Sequence, residues 1–296
     1  MASAEITKLK RLLREKALPP ATPIAERRAV MEKFAFRVAD DIAVEQLTID
    51  GRAAEWLRAP HADAQHVLLY LHGGGYVMGS PNTHRALAGE LSRAARARVF
   101  LPDYRLAPEA PFPAAVEDAV AAVQWLYGQG VAPACLAIAG DSAGGGLTAA
   151  TLIALRDRQL PLPRSAVCIS PWSDLNCSNA SYQTRAAADP MITTEDITLM
   201  ASTYLHGADA KSALASPNRG DLAGLPPLLI QVGRDEVLLD DALVLHEAAR
   251  SAGVTSTLEI WDDMIHVWHA FHPMLPEARQ GITRVGEYLR AQWARG

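Results

Sequence analysis

A serine stands at the centre of Gly140-Asp141-Ser142-Ala143-Gly144. A short apolar run, Leu136-Ala137-Ile138-Ala139, precedes it, and a small-residue run, Gly145-Gly146-Leu147-Thr148, follows. A G-x-S-x-G between a strand and a helix is a sharp turn that lifts a serine hydroxyl off the end of the strand. Glycine flanks the serine because the backbone crowds so tight a turn that a Cβ would clash. By itself the pattern is weak, since at ordinary glycine frequencies about one chain in ten of this length carries it by chance. A serine hydroxyl is also a poor nucleophile near neutral pH. It needs a base, the base needs a carboxylate to orient it, and the oxyanion that forms needs N–H donors aimed at it.

The donors are the best-marked of these partners. His72-Gly73-Gly74-Gly75 follows the continuously apolar Val67-Leu68-Leu69-Tyr70-Leu71. Glycines let a loop approach a substrate closely and aim its N–H groups, and oxyanion loops of lipases and esterases follow a buried strand in this way. The Ala143 N–H, next after the nucleophile, would complete the hole. Neither a phosphate-binding G-x-x-x-x-G-K-[ST] nor a G-x-G-x-x-G opening a helix competes for the glycines. In α/β-hydrolases the acid and base follow the serine in the order Asp or Glu, then His. Pro227–Val232 supplies a strand, Gly233 a turn and Asp235 the expected carboxylate, with Glu236 the next candidate. Asp240 and Asp241 are better placed to start the following helix. Four histidines lie beyond Asp235: His246, His266, His269 and His272. His246 falls mid-helix. His266 is the first after the last strand, on the rim that Ser142 and Asp235 share, and is the expected base. His269 and His272 fall on later turns.

Alternating elements must hold these groups. Ile42–Ile49, the turn Asp50-Gly51 and Ala53–Arg58 read as a hairpin. From Val67 onward, buried apolar strands at Val67–Leu71, Val99–Leu101, Cys135–Ala139, Ala166–Ile169, Leu228–Val232 and Ser256–Trp261 alternate with helical stretches. That rhythm predicts a mostly parallel sheet of about eight strands with helices on both faces. Two stretches break it. Residues 5–18 place Ile6, Leu9, Leu12 and Leu13 at helical spacing, Pro19-Pro20 stops that helix, and a second is expected over Ile24–Val38. This arm must dock an apolar face, and a cover over a site or core is favoured over a membrane surface. Pro171 to about Leu225 is too long for a plain loop, with a helix start at Thr193-Thr194-Glu195-Asp196. Inserted at a strand end, it would lie over the carboxyl ends of the strands as a cap.

Taken together, HGGG, the segment Tyr104-Arg105-Leu106-Ala107-Pro108-Glu109, the GDSAGG elbow, a D-E-x-L-x-D acid segment and a late histidine resemble the hormone-sensitive-lipase group of α/β-hydrolase esterases, the bacterial family IV enzymes. The resemblance spans nearly the whole chain. It implies one α/β-hydrolase domain over 1–296 with a cap from about 1–40 and about 171–215. It also implies a triad of Ser142, Asp235 and His266, and an oxyanion hole from Gly74, Gly75 and Ala143. A homodimer through the last strand is implied as well. The chain departs from the family at Val267, where glycine usually follows the catalytic histidine. The segment Asp263–Trp268 is similar to those of short-chain esterases and monoterpene lactone hydrolases. Asp141, Arg105 and Glu109 are expected to order loops rather than to react.

Composition narrows the alternatives. A net charge of −5 argues against a nucleic-acid surface, and no apolar run is long enough to cross a membrane. No secretory leader is expected at the N-terminus. Three cysteines without regular spacing, Cys135, Cys168 and Cys177, fit a reducing cytoplasm. His266, His269 and His272 could share a helix face as metal ligands, but H-E-x-x-H is absent and the elbow would go unexplained. A ligand receptor on the same fold would lack a working triad, whereas every triad position here is filled. The expectation is therefore a cofactor-free, metal-free serine carboxylesterase acting on a small-molecule ester with short to medium acyl chains, lactones included. Trp172, Tyr76, Met78, Met191, Met200 and Trp268 are candidate pocket residues.

Overall fold

The computed structural model describes residues 2–19 and 22–295. Two helices, α1 (Ala4–Lys16) and α2 (Ile24–Lys33), precede a hairpin of β1 (Ala43–Ile49) and β2 (Arg52–Arg58). Then β3 (Asp63–Leu71), α3 (Pro81–Ala95), β4 (Ala97–Pro102), α4 (Ala114–Gly128), β5 (Leu136–Asp141), α5 (Ala143–Asp157) and β6 (Ser165–Ile169) alternate. The next stretch holds α6 (Ser181–Thr184) and α7 (Thr194–Leu205), before β7 (Leu228–Gly233), α8 (Leu239–Ser251), β8 (Ser256–Trp261) and α9 (Pro276–Trp293). Asp50 and Gly51 both have positive φ, as the two-residue turn between β1 and β2 requires.

The eight strands form one sheet in the order β1-β2-β4-β3-β5-β6-β7-β8. Both pairings of β2 are antiparallel and all others are parallel. The chain builds outward from β3 to β4, then returns to place β5 on the other side of β3. The carboxyl ends of β3 and β5 therefore flank a switch point, where open α/β sheets place their sites. The expected glycine loop leaves one of these strands and the expected elbow the other.

Strand period sets the two cores. Leu68 and Tyr70 face a cluster built on α3 and α9, while Leu69 and Leu71 face one that includes α4, α5 and α8. All four side chains are fully buried, each contributing about 1.5–3 kcal/mol from water exclusion. Cys168 is buried in β6, Cys135 and Cys177 are half-buried, and all three are free thiols.

The N-terminal arm differs in detail from its sequence reading. Ser3 caps α1 by accepting from the Ile6 N–H. Ile6 and Leu9 are buried, with Leu13 packed beside them, against Met264, Ile265, Trp268 and Leu275. Leu12 is instead 42% exposed, because at about 100° per residue it sits about 120° round the helix from Ile6. Pro20, half of the expected helix stop, lies outside the described residues, as do Met1, Ala21 and Gly296. Helix α2 ends at Lys33 rather than Val38, which frees Val38 to pack with Ile42 against the bare Cα of Gly89 in α3. The helix start expected at Thr193 is present, its side chain accepting from the Asp196 N–H.

Candidate active site

Ser142 sits between β5 and α5 with φ 54° and ψ −121°, a conformation that L-residues rarely adopt. Its neighbours force it. A Cβ on Gly140 would stand 2.2 Å from the Gly144 carbonyl oxygen, and one on Gly144 would stand 1.9 Å from that of Leu71. The Ser142 N–H donates to Ile169 O at 2.9 Å, and Trp172 N–H donates to Ser142 O at 2.9 Å. The turn is thus hydrogen-bonded to the end of β6 and the segment after it, and packs closely against the end of β3. Gly144→Ala is expected to destabilise the protein by at least about 3 kcal/mol, the upper end of overpacking losses, because the clashing atoms are backbone that cannot rotate away. A urea melt within 1 kcal/mol of the parent would contradict that geometry.

His266 meets the serine. Its Nε2 lies 2.9 Å from Ser142 Oγ and its Nδ1 lies 2.8 Å from Glu236 Oε2. Asp235 is not the carboxylate at the imidazole. Its Oδ2 accepts from Lys10 Nζ of α1 at 2.6 Å, with a quarter of the side chain exposed. Turn geometry explains the correction. The Arg234 and Asp235 N–H groups donate to Trp261 O and Met264 O, tying the turn after β7 to the His266 loop. The next side chain, Glu236, points inward and is fully buried. Its Oε1 accepts from Gly233 N–H at 2.5 Å and Ser170 Oγ at 2.9 Å, leaving Oε2 for the imidazole. Ser170 in turn accepts from Val267 N–H at 3.1 Å, so one hydroxyl spaces the acid and base loops. Ser170 was not singled out from the sequence. Burial in the fold separates the two: Glu236 heads Val237-Leu238-Leu239, a run that stays buried, whereas Asp235 follows the exposed Arg234.

Burial pulls the His266 pKa down, but the hydrogen bond and charge of Glu236, with the charges of Asp189 and Asp141, outweigh it and leave the pKa raised above 6.5. Val267 has φ 46°, left-handed for a β-branched residue. The backbone here asks for what glycine supplies, which accounts for the family's usual residue. His269 is elsewhere, its Nε2 2.7 Å from Gln231 Oε1 and its pKa depressed by burial to about 3. His246, on α8, pairs with Ser256 at the start of β8. Among the described residues, no three His, Cys, Asp or Glu side chains gather as a metal site.

The glycine loop lies beside the serine. Gly74, Gly75, Ser142 and His266 line one pocket. The N–H groups of Gly74, Gly75 and Ala143 meet no acceptor among the described residues, whereas that of Gly73 donates to Asp141 Oδ1 at 3.1 Å. Gly74 and Gly75 have φ 120° and 63°, and a Cβ on either would strike Met78 O or the Met200 thioether. Asp141 also accepts from Tyr70 Oη at 2.6 Å and faces His84, so it staples the glycine loop to the elbow. His72 stacks on Tyr104 and is buried, which depresses its pKa to about 3 and keeps it neutral. Arg105 pairs with Asp118, and Glu109 takes the Arg28 guanidinium of α2.

The pocket holds about 290 Å³. Met31 of α2 and Ile197 and Met200 of α7 line it, as do Met78, Trp172 and Met191. Tyr76 is instead stacked on Tyr204 at 3.9 Å, and Trp268 packs beneath α1. A buried ion pair, Arg27 with Asp196 at 2.7 Å, joins α2 to α7 at the pocket wall. No helix among the described residues is long and apolar enough to cross a membrane.

Known proteins share this fold. A family described as having the alpha/beta hydrolase fold matches residues 68–270. An acetyl-hydrolase of Streptomyces hygroscopicus is 53% identical over 84% of this chain and 83% of its own. The crystal structure of EstE5 soaked with p-nitrophenyl butyrate superposes with a TM-score of 0.97 at 63% identity, covering 99% of this chain and 100% of that one. That of an esterase from the bacterial hormone-sensitive lipase family gives 0.96 at 48% identity, covering 99% of both chains.

Proposed function

This chain belongs to the bacterial hormone-sensitive-lipase group of α/β-hydrolase esterases, and on that premise we propose that it hydrolyses short- to medium-chain acyl esters through Ser142, His266 and Glu236. The observation that carries the reading is the single imidazole bridging Ser142 Oγ at 2.9 Å and Glu236 Oε2 at 2.8 Å. Ser142 attacks the acyl carbon while His266 Nε2 takes its proton, and Glu236 holds Nδ1–H and stabilises the imidazolium. The oxyanion rests on the N–H groups of Gly74, Gly75 and Ala143. His266 then protonates the leaving alcohol and activates the water that frees the enzyme.

The helices α1 and α2 and the 171–215 region act as the cap. In support, α2 and α7 supply pocket side chains and are bolted together by Arg27 and Asp196. A volume of about 290 Å³ is at the lower end for small-molecule pockets, which favours short acyl groups, and flexible methionines suit varied chains. A panel of p-nitrophenyl esters from acetate to laurate, with a γ-lactone, tests the reading. The highest kcat/KM is expected at or below hexanoate. Laurate as the best substrate, or a lactone turned over while every ester is inert, would sink it.

The base must be neutral to accept the serine proton. Activity is therefore expected to fall as pH drops through a kcat/KM midpoint above about 6.5, since Glu236 raises the imidazole's pKa despite burial. Stability runs the other way. Protonated His266 stabilises the fold fully below the unfolded pKa, and that contribution is lost as pH rises through the raised folded value. A rate profile flat to about pH 4 would contradict the assignment of His266.

A further inference from the structure

A carboxylate outside the triad joins the pocket to the acid turn. Asp189, between α6 and α7, is only 7% exposed. Its Oδ1 accepts from the N–H groups of Met191 at 2.8 Å and Ile192 at 3.1 Å, a local turn that carries both residues into the pocket wall. Its Oδ2 accepts at 3.0 Å from the N–H of Val237, the residue after Glu236. Helix α1 braces this joint from outside. Arg14 donates to the carbonyls of Ala187 at 3.3 Å and Ala188 at 3.1 Å, and Lys10, one turn earlier, holds Asp235.

We propose that Asp189 is a positioning residue for hydrolysis, locking the turn that aims Glu236 at His266 to the loop that walls the acyl pocket. This rests on the esterase reading above. The acid turn and the pocket loop then move as one unit, so a substrate seated against Met191 and Ile192 also finds the triad aligned. Alignment matters because a displacement of about 1 Å at a reacting group can cost 10²-fold in rate. The charges facing His266 are Glu236 on the acid turn, Asp189 on the pocket loop and Asp141 on β5. Asp189 thus also favours the imidazolium that forms as Ser142 loses its proton. Burial pushes its own carboxyl pKa up, partly offset by His266 and by the Met191 and Val237 donors.

Asp189→Asn and Asp189→Ser test this. Asn offers one acceptor oxygen in place of two, so it serves either the pocket loop or Val237 and carries no charge. Ser keeps an oxygen near Met191 and Ile192 but does not reach Val237. Both are assayed on p-nitrophenyl butyrate from pH 5 to 9, with active sites titrated by a fluorophosphonate so that rates refer to folded enzyme. The expected result is a kcat per site lowered about 10- to 100-fold with KM within about threefold. The acid limb of kcat/KM is expected to move to lower pH. A raised KM at unchanged kcat, or a loss of rate with the acid limb unmoved, would overturn the proposal, since a merely structural residue would do that. A parent enzyme inert on every ester would instead overturn the esterase reading beneath it.

Discussion

Glu236→Gln is expected to lower kcat on a short acyl ester by about 10³- to 10⁴-fold, while Asp235→Asn stays within about fivefold of the parent. The asymmetry follows from how the Glu236 carboxylate is held. Gly233 N–H and Ser170 Oγ both donate to Oε1, which fixes an oxygen at that position. A glutamine in the same pose has to place its NH₂ where Oε2 now faces His266 Nδ1 at 2.8 Å. That amide donates to Nδ1, and the imidazole proton moves to Nε2, the nitrogen that must accept from Ser142. The wrong tautomer disables the base without disturbing the packing. Asp235→Asn loses only a partly exposed ion pair with Lys10, worth about 1 kcal/mol or less. Steady-state kinetics of the two variants decide the matter. A crippled Asp235→Asn beside an active Glu236→Gln would return the acid to the position expected from sequence.

The same pair of residues marks how far the sequence is legible. The alternation of strands and helices, the elbow and the glycine loop were readable because each is a local device: a period, a turn, a close backbone approach. Strand β8 spans Ser256–Trp261, as the pattern predicts. The sequence pointed to His266 because it is the first histidine past the last strand, whose carboxyl end lies on the rim of Ser142. The choice between Asp235 and Glu236 was not, because adjacent side chains on a turn point apart and which one points inward depends on Trp261 and Met264 carbonyls distant in sequence. Ser170 and Asp189 were invisible for a related reason. The N–H groups of Val267 and Val237 that bind them lie far away in sequence, and no local pattern links them. Helix α2 ends at Lys33, short of Val38, which packs with Ile42 over Gly89, a contact distant in sequence.

Ser142→Ala is expected to reduce turnover by about 10⁶-fold, to near the background, with a melting temperature within about 2 °C of the parent. The nucleophile is lost, but alanine keeps the Cβ and with it the strained φ of 54°. Ser142→Gly should be as inactive yet more stable. Glycine tolerates that backbone, relieving strain of about 1–3 kcal/mol, against which its own flexibility in the unfolded chain costs about 0.5–1 kcal/mol. The net gain of about 1 kcal/mol raises the melting temperature by about 2 °C for a chain of this size. The elbow would then be a place where stability is given up to hold one hydroxyl 2.9 Å from an imidazole. Thermal melts of the three proteins separate the outcomes. A glycine variant less stable than the alanine variant would show that the backbone at Ser142 is not strained.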